Sequence, residues 1–86
     1  MKIIFHKNFK KHYQKLRAGE KDKFKERRNI FLQNPFHPVL YNHPLQGKYK
    51  GYRSINITGD IRVVYRHKNG WIIFVDIGTH SNLYSK

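Results

Sequence analysis

The 86-residue sequence contains no cysteine and no long hydrophobic run. The absence of cysteine excludes disulfide bonds and thiolate metal sites. The apolar run at the N-terminus, from Ile3 to Phe5, is too short for a signal peptide. No other segment approaches the roughly 20 apolar residues of a membrane-spanning helix. We therefore expect a cytoplasmic protein without a membrane partner.

Acidic residues are also scarce. Eighteen Lys and Arg stand against five Asp and Glu, which gives a formal net charge of +13 at pH 7. Such an excess attracts phosphate-rich or acidic partners. The simpler alternative is a protein that is basic only because it resides near nucleic acid. The length predicts a single small domain, residues 1–86, with a thin core, because a chain of this size buries only about 60–65% of its unfolded surface.

Hydrophobic patterning predicts a short N-terminal strand followed by two helices. Phe9, Tyr13 and Leu16 recur at i, i+4 and i+7, the spacing of an amphipathic helix. We expect Ala18–Gly19 to end this helix, since glycine tolerates the left-handed C-terminal conformation. Pro35 prevents the second helix from continuing. The strand is predicted from Lys2 to Phe5, and the second helix from Glu20 to about Asn34.

Three strands are predicted in the C-terminal half: about Lys48 to Ile57, Ile61 to His67, and Trp71 to Ile77. Between the last two, Asn69–Gly70 is a strong signal for a two-residue hairpin turn. The order is therefore β-α-α-β-β-β. The predicted fold class is α+β: a mainly antiparallel four-stranded sheet with two N-terminal helices packed on one face, and a short C-terminal tail or helix.

The hairpin turn also predicts the register of the sheet. It pairs Lys68 with Trp71, and this sets Arg62 opposite Ile77 and Asp60 opposite Thr79. We take residues 58–60 as a three-residue loop, since a two-residue turn would scatter the apolar residues over both faces. The core face then carries Ile55, Ile57, Ile61, Val63, Tyr65, Ile72 and Phe74, and the opposite face carries Ser54, Asn56, Arg62 and Arg66.

The C-terminal segment has the most informative pattern. An apolar strand stops at Gly78, and His80 and Tyr84 follow four positions apart. This spacing places a proton-transfer group and an aromatic ring together at the edge of a sheet. A titratable imidazole in so positive a surface favours chemistry on a polyanion, with RNA as the preferred candidate. In the predicted register, Asn56, Asp60, Arg62, Thr79 and His80 converge at one corner of the sheet.

Several segments together resemble the YafQ-like branch of the RelE/ParE superfamily of bacterial toxins. The resemblance covers nearly the whole chain, and it implies a RelE-like fold and a ribosome-dependent mRNA endonuclease that a cognate antitoxin holds inactive. The segments that carry it are Asn34–Pro38, His43–Gly47, Gly51–Arg53, Asp60–Tyr65 and Gly78–Ser81.

The resemblance also implies a set of active-site residues. YafQ-like toxins use a His, a second His, an Asp, a third His and a C-terminal aromatic residue. These positions fall on His43, Asn56, Asp60, His80 and Tyr84 in that order. The asparagine is a departure, because an amide can form hydrogen bonds but cannot transfer a proton. Arg62 matches a phosphate-binding arginine of the wider RelE-type toxins.

Each predicted catalytic residue has a structural alternative. His80 is the first candidate for proton transfer, because imidazole titrates near pH 6.5 or so; otherwise it caps backbone groups at a strand end. Asp60 acts as a base or orients an imidazole, or it is a turn residue that bonds its own backbone. The planar guanidinium of Arg62 suits a phosphorane, and the alternative is a solvated or ion-paired residue. His43 is either a catalytic group or a solvated loop histidine.

The predicted RNA contacts carry similar alternatives. Tyr84 either stacks on an unpaired base, a contact worth about 1–3 kcal/mol in single-strand binders, or packs the tail onto the sheet. Arg53 lies on the core side of its strand in the predicted register, so a structural role at the rim competes with RNA contact. The predicted RNA-binding residues are Tyr84, Asn56, Arg53 and Lys50.

The reaction implied by the resemblance needs no cofactor. The 2′-OH of RNA lies beside the scissile phosphate, and positioned acid–base groups typically contribute about 10²–10⁴-fold. A zinc site at His37 and His43 would lack a third close ligand. The expected partners are the ribosome, mRNA and an antitoxin with an acidic or amphipathic segment, in a hetero-oligomer. Two other functions stay open: a ParE-like inhibitor of DNA gyrase, and a basic RNA- or ribosome-binding module without activity.

Overall fold

One five-stranded mixed sheet organises the computed structural model, which describes residues 2–84. Ser85 and Lys86, the end of the predicted tail, lie outside the described residues. The strands are β1 (Lys2–Phe5), β2 (His43–Pro44), β3 (Arg53–Asn56), β4 (Ile61–Lys68) and β5 (Trp71–Thr79), and the helices are α1 (Lys7–Tyr13), α2 (Ala18–Gln33) and α3 (His80–Tyr84). Across the sheet the strand order is β1-β5-β4-β3-β2.

The α+β class is confirmed, but the prediction of a mainly antiparallel four-stranded sheet is wrong in two respects. β1 pairs in parallel with β5, from Lys2 opposite Trp71 to Phe5 opposite Phe74. The long connection that a parallel pair requires is supplied by the rest of the chain. The additional strand, β2, pairs antiparallel with β3 and forms an edge, where a proline that cannot donate a hydrogen bond is tolerated.

The helix boundaries differ from the prediction around residues 14–19. α1 ends at Tyr13, and Lys15 and Leu16 continue it only as a turn, their N–H groups donating to the carbonyls of His12 and Tyr13 at 3.1 Å. Ala18–Gly19 does not end α1, because these residues form the first turn of α2. The Glu20 carboxylate accepts a hydrogen bond from the Arg17 N–H at 2.9 Å, which satisfies a donor at the start of α2.

The predicted strand from Lys48 to Ile57 is also too long. Gly47 and Gly51 have φ angles of +67° and +90°, which are far from the extended region. A 3₁₀ turn, Gly47–Tyr49, therefore replaces the first part of this strand. The regular strand begins only at Arg53.

Aromatic rings between the sheet and the helices α1 and α2 form the centre of the core. Phe74 is fully buried, and its ring contacts five other rings at centroid distances from 5.6 to 6.2 Å. All seven residues of the predicted core face are buried in this cluster. The prediction that both N-terminal helices pack on one face is therefore supported by Phe9, Phe24 and Phe31, which join the same cluster.

The register between β4 and β5 shifts at a bulge. Lys68 pairs with Trp71 as predicted, but Tyr65 pairs with Phe74 and Val64 with Asp76. Val75 is the extra residue of the bulge. The predicted pairs of Arg62 with Ile77 and Asp60 with Thr79 are therefore wrong by one position, and Arg62 lies opposite Gly78 while Ile61 lies opposite Thr79.

The opposite face of the sheet, here called the second face, carries Ser54, Asn56, Arg62, Val64 and Arg66, as the pairing and the alternation along β3 and β4 require. α3 lies over part of it. The Thr79 hydroxyl accepts a hydrogen bond from the Asn82 N–H at 3.1 Å and caps this helix. α3 packs directly on Gly78, since a Cβ at this position would be in van der Waals contact with the Asn82 Cβ at 3.5 Å. Within residues 2–84, no helix has the length and apolar character that crossing a membrane requires.

Candidate active site

His80 and Tyr84 form one stripe of α3. Their ring centroids are 4.7 Å apart, as expected for residues one helical turn apart. The Tyr84 hydroxyl donates to the Ser54 Oγ at 3.2 Å, so the ring lies over the middle of the second face, where Ser54 is fully buried. His80 is exposed. Tyr84 therefore packs the C-terminal segment onto the sheet, while the imidazole of His80 in the same stripe is accessible.

Arg62 lies beside this stripe on the second face. It pairs with Gly78 on one side, two residues before His80, and with Asn56 on the other. As a residue, Arg62 is half-buried. Arg62 and His80 consequently supply a fixed positive charge and a titratable group at the same corner of the sheet, and we call Asp60, Arg62 and His80 the corner residues.

The pairing of β4 with β5 places Asp60 at this corner. Ile61 and Thr79 are the last paired residues, so Asp60 and His80 follow directly on adjacent chains. The Asp60 N–H donates to the Thr58 Oγ at 3.1 Å. The exposed Asp60 lines a groove of about 840 Å³ together with His12 and Asn82, and neither Arg62 nor His80 is among the described residues that line this groove. The turn geometry is thus maintained by Thr58 and leaves the Asp60 carboxylate accessible.

Asn56 has a buried polar atom without a partner. Its side-chain oxygen is shielded from solvent, and it accepts no hydrogen bond from the residues that the structure describes. The residue lines a shallow pocket of about 400 Å³ beside Arg27 and Val39. A buried acceptor of this kind is costly unless a donor is provided. The Nε of Arg27, which lines the same pocket, is likewise buried without a partner among the described residues.

His43 lies on the second face at the far edge of the sheet. It pairs with Ser54, the residue that accepts the Tyr84 hydroxyl. The His43 Nδ1 is 2.9 Å from the Tyr41 carbonyl oxygen. Because a carbonyl can only accept, Nδ1 is the donor in this contact. The contact leaves Nε2 as the ring nitrogen that can face a substrate.

Arg53 lies on the core side, away from the second face. It pairs with Tyr65, and its Nε donates to the Asn42 Oδ1 at 2.8 Å. Asn42 in turn donates to the Tyr65 hydroxyl at 2.7 Å. The guanidinium carbon lies 5.2 Å from the centroid of the Phe36 ring. These contacts favour the structural role at the rim over the predicted RNA contact.

We expect the substitution Arg53→Met to destabilise the protein by about 1–3 kcal/mol, because it leaves the half-buried Asn42 oxygen without its charged donor. Urea denaturation followed by circular dichroism measures this loss. Lys50→Met is the matched control, since Lys50 is exposed after the Gly47–Tyr49 turn and should change stability little. Loss of RNA cleavage without loss of stability in Arg53→Met would instead support the RNA contact.

The structure adds aromatic residues that the sequence analysis left without a role. The Tyr49 ring lies 5.9 Å from the Tyr84 ring and 5.6 Å from the Tyr52 ring. Burial raises the pKa of the Tyr49 phenol, and the negative charge of Asp76 adds to this rise. The phenol therefore stays protonated at neutral pH. For Tyr52, the sequence did contain a signal: Tyr52, Ser54 and Asn56 alternate, so they are expected on the same face of the sheet.

A second feature not anticipated from the sequence is the pair His12–Asp76. The His12 Nδ1 donates to the Asp76 Oδ1 at 2.6 Å, and the Ile77 N–H donates to the same oxygen at 2.8 Å. This contact ties α1 to the strand just after the Val75 bulge. Because the two residues are 64 positions apart, no local pattern could have predicted it.

Two of the remaining histidines cap helical segments. Nδ1 of His6 accepts from the Asn8 N–H, and Nδ1 of His37 accepts from the Val39 N–H, each at 3.1 Å. Across residues 2–84, no three His, Asp or Glu side chains are grouped as metal ligands.

The fold is shared by bacterial toxins of known structure. A crystal structure of YafQ from Escherichia coli BL21(DE3) superimposes with a TM-score of 0.79 at 26% sequence identity, covering 95% of this chain and 96% of the other. YafQ in a crystal structure of the Escherichia coli DinJ–YafQ complex superimposes with a TM-score of 0.75 at 29% identity, covering 95% and 96%. The architecture is therefore that of a toxin of this structural class.

Sequence comparison narrows the class. The family model described as the bacterial toxin of type II toxin–antitoxin systems, YafQ, matches residues 1–85. The mRNA interferase toxin YafQ of Escherichia coli K12 is 31% identical over 70 residues, which cover 79% of this chain and 76% of that relative. The chain belongs to the YafQ family of toxins.

Proposed function

We propose that this chain is the toxin of a type II toxin–antitoxin pair and acts as a ribosome-dependent mRNA endonuclease. The observation that carries the proposal is the strand register, which brings the backbone positions of an exposed His80, Asp60 and Arg62 to one corner of a highly basic protein. Relatives named mRNA interferases support the assignment of mRNA as the substrate.

The reaction is a transesterification within the RNA. The 2′-oxygen attacks the adjacent phosphorus and loses its proton, the bond to the 5′-oxygen breaks, and that oxygen takes up a proton. His80 transfers one of these protons, and the second falls to His43 or Asp60. The Arg62 guanidinium offsets the charge that develops on the phosphorane oxygens, where a preorganised cation is most effective.

Asn56 has a distinct role in this proposal. Its unpartnered oxygen accepts a hydrogen bond from the substrate, where the resembling toxins have a histidine. Because an amide cannot transfer protons, the acid and base must be found among His43, Asp60 and His80. Tyr84 extends the surface beside His80 with an aromatic ring on which a base can stack.

The inhibitory partner is an antitoxin. The DinJ–YafQ complexes support such a partnership for this chain. The net charge of +13 favours an antitoxin segment that is acidic, or amphipathic with acidic residues, and that covers the basic surface near α3. Pull-down from the native host should recover a hetero-oligomer, and recovery of the monomer alone would contradict this part of the proposal.

Mapping of mRNA 5′ ends after brief induction tests the nuclease. We expect new ends within translated codons of a reporter mRNA, and none in the same mRNA with its start codon destroyed. Cutting of both mRNAs would contradict ribosome dependence. Intact mRNA together with gyrase–DNA cleavage complexes would favour the ParE-like function, and intact mRNA with salt-sensitive ribosome association would favour a binding module.

A further inference from the structure

Aromatic and cationic side chains continue across the second face beyond the His80–Tyr84 stripe. Tyr84 is followed by Tyr49 at 5.9 Å and Tyr49 by Tyr52 at 5.6 Å, measured between ring centroids. At the end of the row, the guanidinium carbon of Arg66 lies 5.7 Å from the Tyr52 centroid. The row leads from the corner residues toward the opposite end of the sheet.

The strand register explains why Tyr52 meets Arg66. Arg53 pairs with Tyr65, so the next position places Tyr52 beside Arg66, and alternation directs both toward the second face. Arg62 and Arg66 lie on the same face of β4, separated by about 13 Å along the strand at roughly 3.3 Å per residue. Two guanidinium groups are therefore spaced along one face, with aromatic rings beside them.

Packing within the protein accounts for the positions of Tyr84 and Tyr49, but not for the pair Tyr52 and Arg66. In the middle, Ser54 and Val64 are fully buried, the Tyr84 hydroxyl bonds to Ser54, and burial raises the pKa of Tyr49. Those rings act as a cover. Tyr52 and Arg66 are half-buried, as Tyr49 and Tyr84 are. What distinguishes them is the contact of the Arg66 guanidinium with the Tyr52 ring, because a guanidinium beside a ring keeps its donors available in its own plane.

We propose that Tyr52 and Arg66 form a subsite for a nucleotide that neighbours the cleaved bond, with the base stacked on the Tyr52 ring and the phosphate bound by the Arg66 guanidinium. This proposal rests on the proposed nuclease function and deepens it. Since every base has a π-face, stacking on Tyr52 raises affinity without selecting one base. The subsite positions the RNA strand, and the corner residues act on the bond.

Fluorescence anisotropy with a short, labelled 2′-O-methyl oligoribonucleotide tests binding without cleavage, because the methylated 2′-oxygen cannot attack. We expect Tyr52→Leu to weaken binding at least about fivefold, the change that corresponds to one stacked base, and Tyr52→Phe to retain it. Phe36→Leu is the matched control, because Phe36 is 63% exposed and its ring contacts Arg53, on the core side of the sheet and away from the row.

The salt dependence of the same binding tests the arginine. Arg66→Gln should reduce the slope of log K against log salt by about 0.7, the contribution of one phosphate contact in a single strand. Arg28→Gln is the control, since Arg28 also lies over a ring, Phe24, but on α2. If a test variant and its control changed the affinity or the salt slope equally, or if neither variant changed them, the proposed subsite would be wrong.

Cleavage on programmed ribosomes separates this proposal from the nuclease itself. If the wild-type chain cuts, Tyr52→Leu should raise the toxin concentration needed for half-maximal cutting and leave the maximal rate unchanged. If the wild type cuts and Tyr52→Leu matches it at every concentration, the subsite is wrong and the nuclease stands. If the wild type does not cut, the nuclease fails, and the binding result alone decides whether Tyr52 and Arg66 hold RNA.

Discussion

Replacing His80 with alanine should lower the rate of mRNA cleavage by about 10²–10⁴-fold, the contribution of a positioned acid–base group. The fold should be unaffected, because His80 is exposed and begins a five-residue helix. His80→Gln should be almost as inactive, since glutamine retains hydrogen bonding but transfers no proton. The measurement is the single-turnover cleavage rate on programmed ribosomes, with thermal melting to verify the fold.

His67→Ala is the matched control for this experiment. His67 is an exposed histidine of β4 whose ring lies 5.9 Å from that of the core residue Tyr65, on the other side of the sheet from Arg66. We expect wild-type cleavage from it. Equal cutting by His80→Ala and wild type would keep the nuclease but transfer the chemistry to His43 or Asp60.

The second large effect concerns stability. Phe74→Ala should destabilise the protein by about 3–5 kcal/mol, as loss of a buried phenyl ring and the resulting cavity does in other cores. Phe74 is fully buried. Because small domains have only about 5–15 kcal/mol of total stability, the variant should be close to unfolding. The rings that lose a contact are Phe5, Phe9, Phe24, Phe31 and Tyr65.

Urea denaturation followed by circular dichroism measures this change. Phe36→Ala is the control of the same residue type, because Phe36 is 63% exposed and loses only its contact with Arg53. We expect it to cost no more than about 1 kcal/mol, the range of an exposed cation–π contact. A loss below this value for Phe74→Ala would mean that the aromatic cluster repacks and that Phe74 is not its centre.

The sequence analysis was most successful where patterns are local. The alternation of apolar and polar residues along β3 and β4 predicted which side chains face the core, and all seven predicted core residues are buried. The Asn69–Gly70 turn predicted the pairing of Lys68 with Trp71. The spacing of His80 and Tyr84 likewise placed the two rings on one side of a helical turn.

The roles of the predicted site residues are still predictions, but the structure limits the geometry available to them. His80, Arg62 and Asp60 adjoin at one corner, and His43 is connected to the same face through Ser54. Arg53 lies on the other side of the sheet. Arg53 lies on that side because side chains alternate along a strand, and the register predicted from the sequence already placed it there.

Three predictions about the strands failed for different reasons. Two glycines with positive φ shortened the strand predicted from Lys48, and the bulge at Val75 moved Arg62 from Ile77 to Gly78. The strand His43–Pro44 is only two residues long and exists because β3 offers it an open edge. The bulge and the short strand each depend on a neighbouring chain segment that local propensity does not describe, whereas the two glycines are a local signal that the strand prediction did not use.

The sequence by itself determined the α+β class, the composition of the core face and the large excess of positive charge, because side-chain periodicity and charge are properties of the chain. Only the tertiary structure decided the parallel pairing of β1 with β5, the shift at the bulge, the His12–Asp76 contact and the row from Tyr84 to Arg66. These features depend on hydrogen bonds and packing between segments far apart in the chain. Their energies arise only once the sheet has assembled.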